Sequence, residues 1–320
     1  MTVCIAAMCR APAPYDNQCV IVGAADRMLT AGNIEFEPDT PKIIRLTNSI
    51  FALLSGDSSL QHQIIEEVGA VVQARIKADP KNWLNVRDVA EMYANRYNEL
   101  RLREAKNLFL APLGLTLETF IAKNKTLSPE LVDKISNGLL NYELSDSVAT
   151  IICGLDNTGL HLFVVRGNNI ECLNNAGFAS VGMGDWHSNS QFMFAKHRWL
   201  KPFSETLLLT YAAKKRAEVA PGVGQATDMF IIGPGLGQNA FPIPYNVVDK
   251  LGQIYDESRA EGAIIFQKAN DKTKEFIDTL LQTAFKDQSA HPNPPSSGKD
   301  TPPPKPLNTP DSDKEPPKQP

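Results

Sequence analysis

The segments Met1-Thr2-Val3-Cys4-Ile5-Ala6-Ala7, Val20-Ile21-Val22-Gly23-Ala24-Ala25-Asp26-Arg27, Thr40-Pro41-Lys42-Ile43-Ile44 and Leu53-Leu54-Ser55-Gly56-Asp57 open the chain and decide how the rest is read. Val3, Ile5 and Ala7 alternate with Cys4, Ala6 and Met8, and Cys19 to Ala25 forms a second apolar run. The turn-rich connector Ala11-Pro12-Ala13-Pro14-Tyr15-Asp16-Asn17 makes the pair a hairpin. Two further strands are expected at 42–46 and 49–55, dense in Ile, Leu and Phe and bounded by Asn48 and Gly56-Asp57. Four strands at this spacing argue for an antiparallel sheet. Thr2 directly follows the initiator methionine. A second residue this small allows aminopeptidase removal of Met1, leaving Thr2 with both a hydroxyl and a free α-amine. The amine then serves as general base for the hydroxyl, which activates an otherwise weak nucleophile.

Composition bounds the rest. From Gln288 to Pro320 there are 11 prolines in 33 residues and no aromatic residue. Such a segment cannot bury enough apolar surface to offset the entropy of ordering it, so 288–320 reads as a disordered, partly polyproline II tail. Residues 1–287 then form one large domain. A net charge of −4 points away from nucleic acid, and Lys214-Lys215-Arg216 reads as the solvated end of a helix. No apolar stretch approaches the roughly 20 residues of a membrane span. No secretion signal opens the chain, so a cytoplasmic location is expected. The five cysteines fit free thiols in a reducing compartment, with Cys4, Cys9, Cys153 and Cys172 in apolar runs as core residues. The histidines show no metal-ligand spacing, and neither a metal nor a cofactor is expected.

Beyond residue 57 the period becomes helical. Leu60, Ile64, Ile65, Val68, Val71, Val72 and Ile76 fit one face, with Asp57 or Ser58 as N-cap. A second helix is expected over about 86–106. Residues 107–140 look like an added, partly helical segment in which Ser128-Pro129 starts a helix. Strands return at 148–155 and 160–166 around the turn Asp156-Asn157-Thr158-Gly159, and 169–173 and 178–181 continue the sheet. Helices follow at 187–200 and 204–219, strands at 229–232 and 240–245, and helices at 247–260 and 272–285. The loop Gly233-Pro234-Gly235-Leu236-Gly237 has no helix after it and reads as a turn rather than a phosphate loop. This order suggests an α+β fold of four layers, α-β-β-α, with two stacked antiparallel sheets and helices on both outer faces.

Thr2-Val3-Cys4-Ile5, Ala24-Ala25-Asp26-Arg27 with Thr30-Ala31-Gly32, Lys42, and Ser55-Gly56-Asp57 together resemble a proteasome β-type subunit, one of the N-terminal-nucleophile hydrolases. The spacing from Asp26 through Lys42 to Gly56 agrees without gaps. The resemblance weakens over about 105–140, which look inserted, and returns at 146–184 and 224–233. Short bacterial proteasome-like proteins look closest, and the helical alternation is also similar to HslV, the peptidase of a bacterial two-component protease.

The resemblance implies a threonine peptidase. Thr2 Oγ would attack a carbonyl, and buried Lys42 would ease ionisation of the hydroxyl. Asp26 would hold Lys42, the Gly56 amide would stabilise the oxyanion, and Thr30 would hydrogen-bond the substrate backbone as an added strand. It also implies a peptide or unfolded protein as substrate, a homo-oligomeric ring, and an ATPase unfoldase among the partners. The sequence departs from the family in two places. Met183, between Gly182 and Gly184, stands where a serine usually hydrogen-bonds the threonine amine; Ser180 and Ser188 are the nearby hydroxyls. Glu218 is the only acid in 217–221, where an aspartate and a serine are usual. The competing readings are a catalytically inactive scaffold subunit, in which Asp26 and Lys42 are a structural ion pair, and an amidase acting on a small amide.

Overall fold

Val3, Ile5 and Ala7 point to one side of the first strand and Cys4, Ala6 and Met8 to the other, and all six are buried. That strand therefore has to lie between two packed layers, which is why its sequence is apolar almost throughout. In the computed structural model, which describes residues 2–15, 17–31, 34–81, 83–144, 148–233 and 240–290, it is β1 (Val3–Arg10). It forms a hairpin with β2 (Cys19–Ala25), followed by the short ribbon β3 (Leu29–Ala31) and β4 (Ile34–Phe36). β5 (Ile43–Arg45) and β6 (Ile50–Ser55) lead into α1 (Ser58–Ala78) and α2 (Val86–Phe109). Asp57 is the cap of α1, its side chain accepting from the amides of Ser59 and Leu60.

The segment after α2 holds α3 (Leu117–Lys123) and α4 (Pro129–Asn141), the latter capped by Ser128 with Pro129 in its first turn. β7 (Ala149–Asp156), β8 (Gly159–Arg166), β9 (Asn169–Cys172) and β10 (Phe178–Gly182) follow. After them come α5 (Asp185–Phe194), α6 (Phe203–Ala217), β11 (Asp228–Ile232), β12 (Phe241–Pro242) and α7 (Tyr245–Ala290).

The result is a mixed α+β protein with two five-stranded sheets, ordered β10-β1-β2-β11-β12 and β5-β6-β7-β8-β9, and antiparallel throughout. Their facing sides share a core that includes Cys4, Ala6 and Ile21 from one and Phe51, Leu53 and Ile151 from the other. Phe51 and Phe230 stack across that core with ring centroids 4.9 Å apart. The outer face of the second sheet packs on α1 and α2 through Ile64, Val68, Val89 and Tyr93. The outer face of the first packs on α5, α6 and the first turns of α7 through Phe192, Ala213, Tyr211 and Leu251.

Several expectations need correction. The four opening strands do not share one sheet: β1 and β2 lie in the first, β5 and β6 in the second. β10 does not continue its neighbours' sheet but pairs with β1, Val3 opposite Gly182. β12 is two residues long: Phe241 and Pro242 pair with Ile231 and Phe230, Ile243 N still donates to the Met229 carbonyl at 2.8 Å, and Pro244, which has no N–H, follows. The two helices expected near the end are one, α7, since nothing between 260 and 272 breaks a helix strongly. Cys172 is exposed rather than core, whereas Cys4, Cys9 and Cys153 are buried, and all five thiols are free. Lys214 is fully buried, not solvated.

The chain divides into two units, Met1–Arg259 and Ala260–Pro320. Residues 260–282 of the second are helical and exposed along their length. Gly32, Asp146, most of the 233–237 loop and the tail from 291 onward lie outside the described residues.

Candidate active site

Thr2 immediately precedes β1 and is 2% exposed, at the end of the strand where β1 lies between β2 and β10. Asp26 follows β2 and is 0% exposed. The β1–β2 register pairs Cys4 with Ala25, so the two strand ends carry Thr2 and Asp26 to the same point. Lys42 comes from the other direction, just before β5 in the second sheet, where its carbonyl accepts from the amide of Leu54 at 3.0 Å. The site is thus built at one end of the layered core from both sheets.

The contacts are direct. The Lys42 ammonium donates to Thr2 Oγ1 at 2.6 Å and reaches both Asp26 oxygens at 3.2 Å. The Thr2 hydroxyl donates to Asp26 Oδ1. Lys42 also donates to the carbonyl of Met28. Asp26 accepts three backbone bonds as well: Val3 N at 2.9 Å on Oδ1, and Met28 N at 2.9 Å and Gly224 N at 3.0 Å on Oδ2. A buried carboxylate is expensive unless its lone pairs are filled, and here peptide amides from three separate segments fill them. Asp26 is therefore the fixed point to which Thr2 and Lys42 are tied.

Thr2, Lys42, Gly56 and Thr30 all line one cleft of about 1770 Å³. Gly56 leaves β6 with φ 104°, a left-handed conformation suited to glycine, which turns the chain into α1 along the cleft wall. Thr30 lies on β3, whose only partner strand among the described residues is β4, and its hydroxyl is buried without a partner. The structure so brings all five sequence-picked residues to one place: Thr2, Asp26 and Lys42 in mutual contact, Gly56 and Thr30 at the rim. Cys4 is near, but burial pushes its thiol up to about 12 and its Sγ donates to the carbonyl of Leu54, so it is held as a neutral thiol.

Glycines to which the sequence assigned no role of their own complete the arrangement. Gly182 has φ 103°, and a Cβ there would meet the Thr2 carbonyl oxygen at 2.2 Å. Gly184 N donates to the same carbonyl at 3.3 Å. Gly182 and Gly184 were visible as a pair, but the sheet crossover that brings β10 beside β1 was not. Gly224 carried no signal of its own.

Met183 lines the cleft and is 49% exposed. The Ser180 hydroxyl donates to the carbonyl of Asp185 at 3.1 Å, and that of Ser188 to the carbonyls of Gly184 and Asp185. Both hydroxyl protons are thus used in the turn that starts α5. Glu218 pairs with Lys214 at 2.6 Å and Lys215 at 2.8 Å.

No protein-family model matches this chain, and no curated protein matches it in sequence.

Proposed function

We propose that this chain is an N-terminal threonine hydrolase, a proteasome-like peptidase of the N-terminal-nucleophile fold that works in the cytoplasm as an oligomeric ring. The observation that carries this reading is the Thr2 hydroxyl held between the Lys42 ammonium at 2.6 Å and the Asp26 carboxylate, at the wall of a large cleft. The layered α+β architecture supports it, since the four-layer fold of that class places its nucleophile at such a strand start.

The chemistry follows from the groups present. Removal of Met1 frees the Thr2 amine, which takes the hydroxyl proton as Oγ1 attacks the substrate carbonyl. Lys42 favours the developing alkoxide, and Asp26 keeps Lys42 and the hydroxyl aligned. The tetrahedral oxyanion would be met by the Gly56 amide. Collapse passes the proton to the leaving amine and leaves an ester on Thr2, which water then hydrolyses. The edge of β3 at Thr30 away from β4, unpaired among the described residues, offers backbone pairing to an extended peptide.

A second reading has its own observation. Met183 has no hydroxyl to receive the Thr2 amine, and the bonds seen for the Ser180 and Ser188 hydroxyls run to carbonyls in the turn that starts α5. This favours a subunit that keeps the fold and only builds an assembly. Hydrolysis of hydrophobic fluorogenic peptides by the Met1-processed protein separates the two. The peptidase reading expects turnover that disappears in Thr2→Ala. Retained Met1, or no turnover above that of Thr2→Ala, favours the scaffold.

A further inference from the structure

Lys214 lies in the last turn of α6 and is 0% exposed. Burying an ammonium typically costs several kcal/mol even after relaxation, and an apolar side chain of similar volume is often the more stable choice. Here all three N–H donors are used: Glu218 Oε1 at 2.6 Å, the carbonyl of Gly224 at 2.9 Å and that of Gln225 at 2.8 Å. Two of the three bonds go to consecutive peptides of the loop before β11 rather than to the ion partner.

That loop touches the site. Gly224 is held at its carbonyl by Lys214, and its amide donates to Asp26 Oδ2 at 3.0 Å. The next amide but one, Ala226 N, is held by Glu37 at 3.1 Å. Gly224 has no side chain to anchor itself, and none would fit, because a Cβ would meet Glu37 Oε1 at 1.8 Å and Met28 Cβ at 3.0 Å. The two peptides that follow the Gly224 amide are thus held at their carbonyls by Lys214, with Glu37 on Ala226 N. Burial pushes the Lys214 amine below its ordinary value, and hydrogen bonding to Glu218 opposes that shift.

We infer that Lys214 is a positioning residue of the Thr2 site: its ammonium clamps the Gly224–Gln225 backbone, which in turn holds the Asp26 carboxylate against Thr2 and Lys42. Its effect on catalysis rests on the peptidase reading above; its hold on Gly224 does not. Glu218 then serves the site at one remove, by keeping the buried ammonium charged.

The test uses the full chain with Met1 removed, as wild type, Lys214→Met and Lys214→Gln. Two quantities are measured: turnover of a hydrophobic fluorogenic peptide per folded molecule, and hydrogen exchange of the peptide segment spanning 220–228. Lys214→Met should lower kcat by about 10- to 100-fold with KM unchanged, the scale on which losing an outer partner of a functional ligand acts. The Gly224 amide should lose protection in the same variant. Lys214→Gln, which keeps two N–H donors for the two carbonyls, should recover part of both. Wild-type kcat in Lys214→Met overturns the positioning role, whatever happens to the melting temperature. An unchanged Gly224 amide overturns the clamp itself. If Lys214→Met fails to fold, Lys214→Gln decides by the same readouts, set between full wild-type behaviour and loss. If wild type shows no turnover, the proposed peptidase function fails, and exchange at Gly224 alone still decides whether Lys214 holds that peptide on Asp26.

Discussion

At the residue scale the site is an electrostatic unit rather than a set of independent groups. Lys42→Ala removes the charge 2.6 Å from Thr2 Oγ1. It should cost on the order of 10²-fold or more in peptide turnover, as losses of oriented electrostatic stabilisation do, with the oligomer intact by light scattering. Asp26→Asn should be as damaging to turnover and also destabilising. Breaking a buried pair from one side typically costs about 3–5 kcal/mol because it strands the remaining charge, and urea denaturation reads that loss. Gly182→Ala should reduce turnover through geometry alone, since its Cβ would meet the Thr2 carbonyl oxygen at 2.2 Å and displace the nucleophile. A Gly182→Ala protein with wild-type turnover would show that Thr2 need not be held where it is. That Thr2, Asp26 and Lys42 belong together was legible through the resemblance to proteasome β-type subunits, and the three side chains do meet. The amides of Met28 and Gly224 were not, because a backbone donor has no residue type. Lys214 misled for a related reason: beside Lys215 and Arg216 it looks like a solvated run, and only the loop brought back from 224 reveals its burial.

At the element scale, pairings that link distant segments were hidden while local periodicity was not. The helix over 58–78 and the 156–159 hairpin follow from spacing, caps and turn residues within a few positions. The crossover of β10 onto β1 depends on contacts between residues about 180 apart in sequence, which no local pattern encodes. Two elements carry predictions of their own. Phe51 of β6 stacks on Phe230 of β11 in the core between the sheets. Phe51→Ala should destabilise by about 3–5 kcal/mol, measured as a fall in denaturation midpoint. Asp156 ends β7 and accepts from Val86 N at 2.9 Å, capping α2 from outside, and from Thr158 N at 2.8 Å. Burial raises its carboxyl, but the bonds from Thr158 and Val86 outweigh this and leave it below the ordinary 3.8. A depressed carboxyl stabilises the fold fully above 3.8, and that contribution is lost as pH falls below it. Wild type should therefore lose stability on acidification below pH 4 more steeply than Asp156→Asn, as read by thermal melts across that range. Equal slopes would remove Asp156 from the account.

At the scale of the whole molecule, the first unit holds every residue of the proposed site, and the second begins within α7. Deleting 288–320 should leave the melting temperature and turnover nearly unchanged, because a segment with 11 prolines in 33 residues and no aromatic residue has little apolar surface to contribute to a core. A large fall would mean that the tail is structural. The proposed peptidase function calls for an enclosed cleft, so on that proposal native mass should show a closed assembly of many copies rather than a 35.1 kDa monomer. The central claim, that Thr2 acts through its own hydroxyl and its own freed amine, has a more direct test. A peptide epoxyketone incubated with the Met1-processed protein should add once, and mapping by mass spectrometry should place it on residue 2 as a ring closed through both groups. Thr2→Ser should still form that ring, and Thr2→Ala should not. A processed wild-type protein that stays unmodified, or that carries the adduct on any residue other than Thr2, would contradict the account.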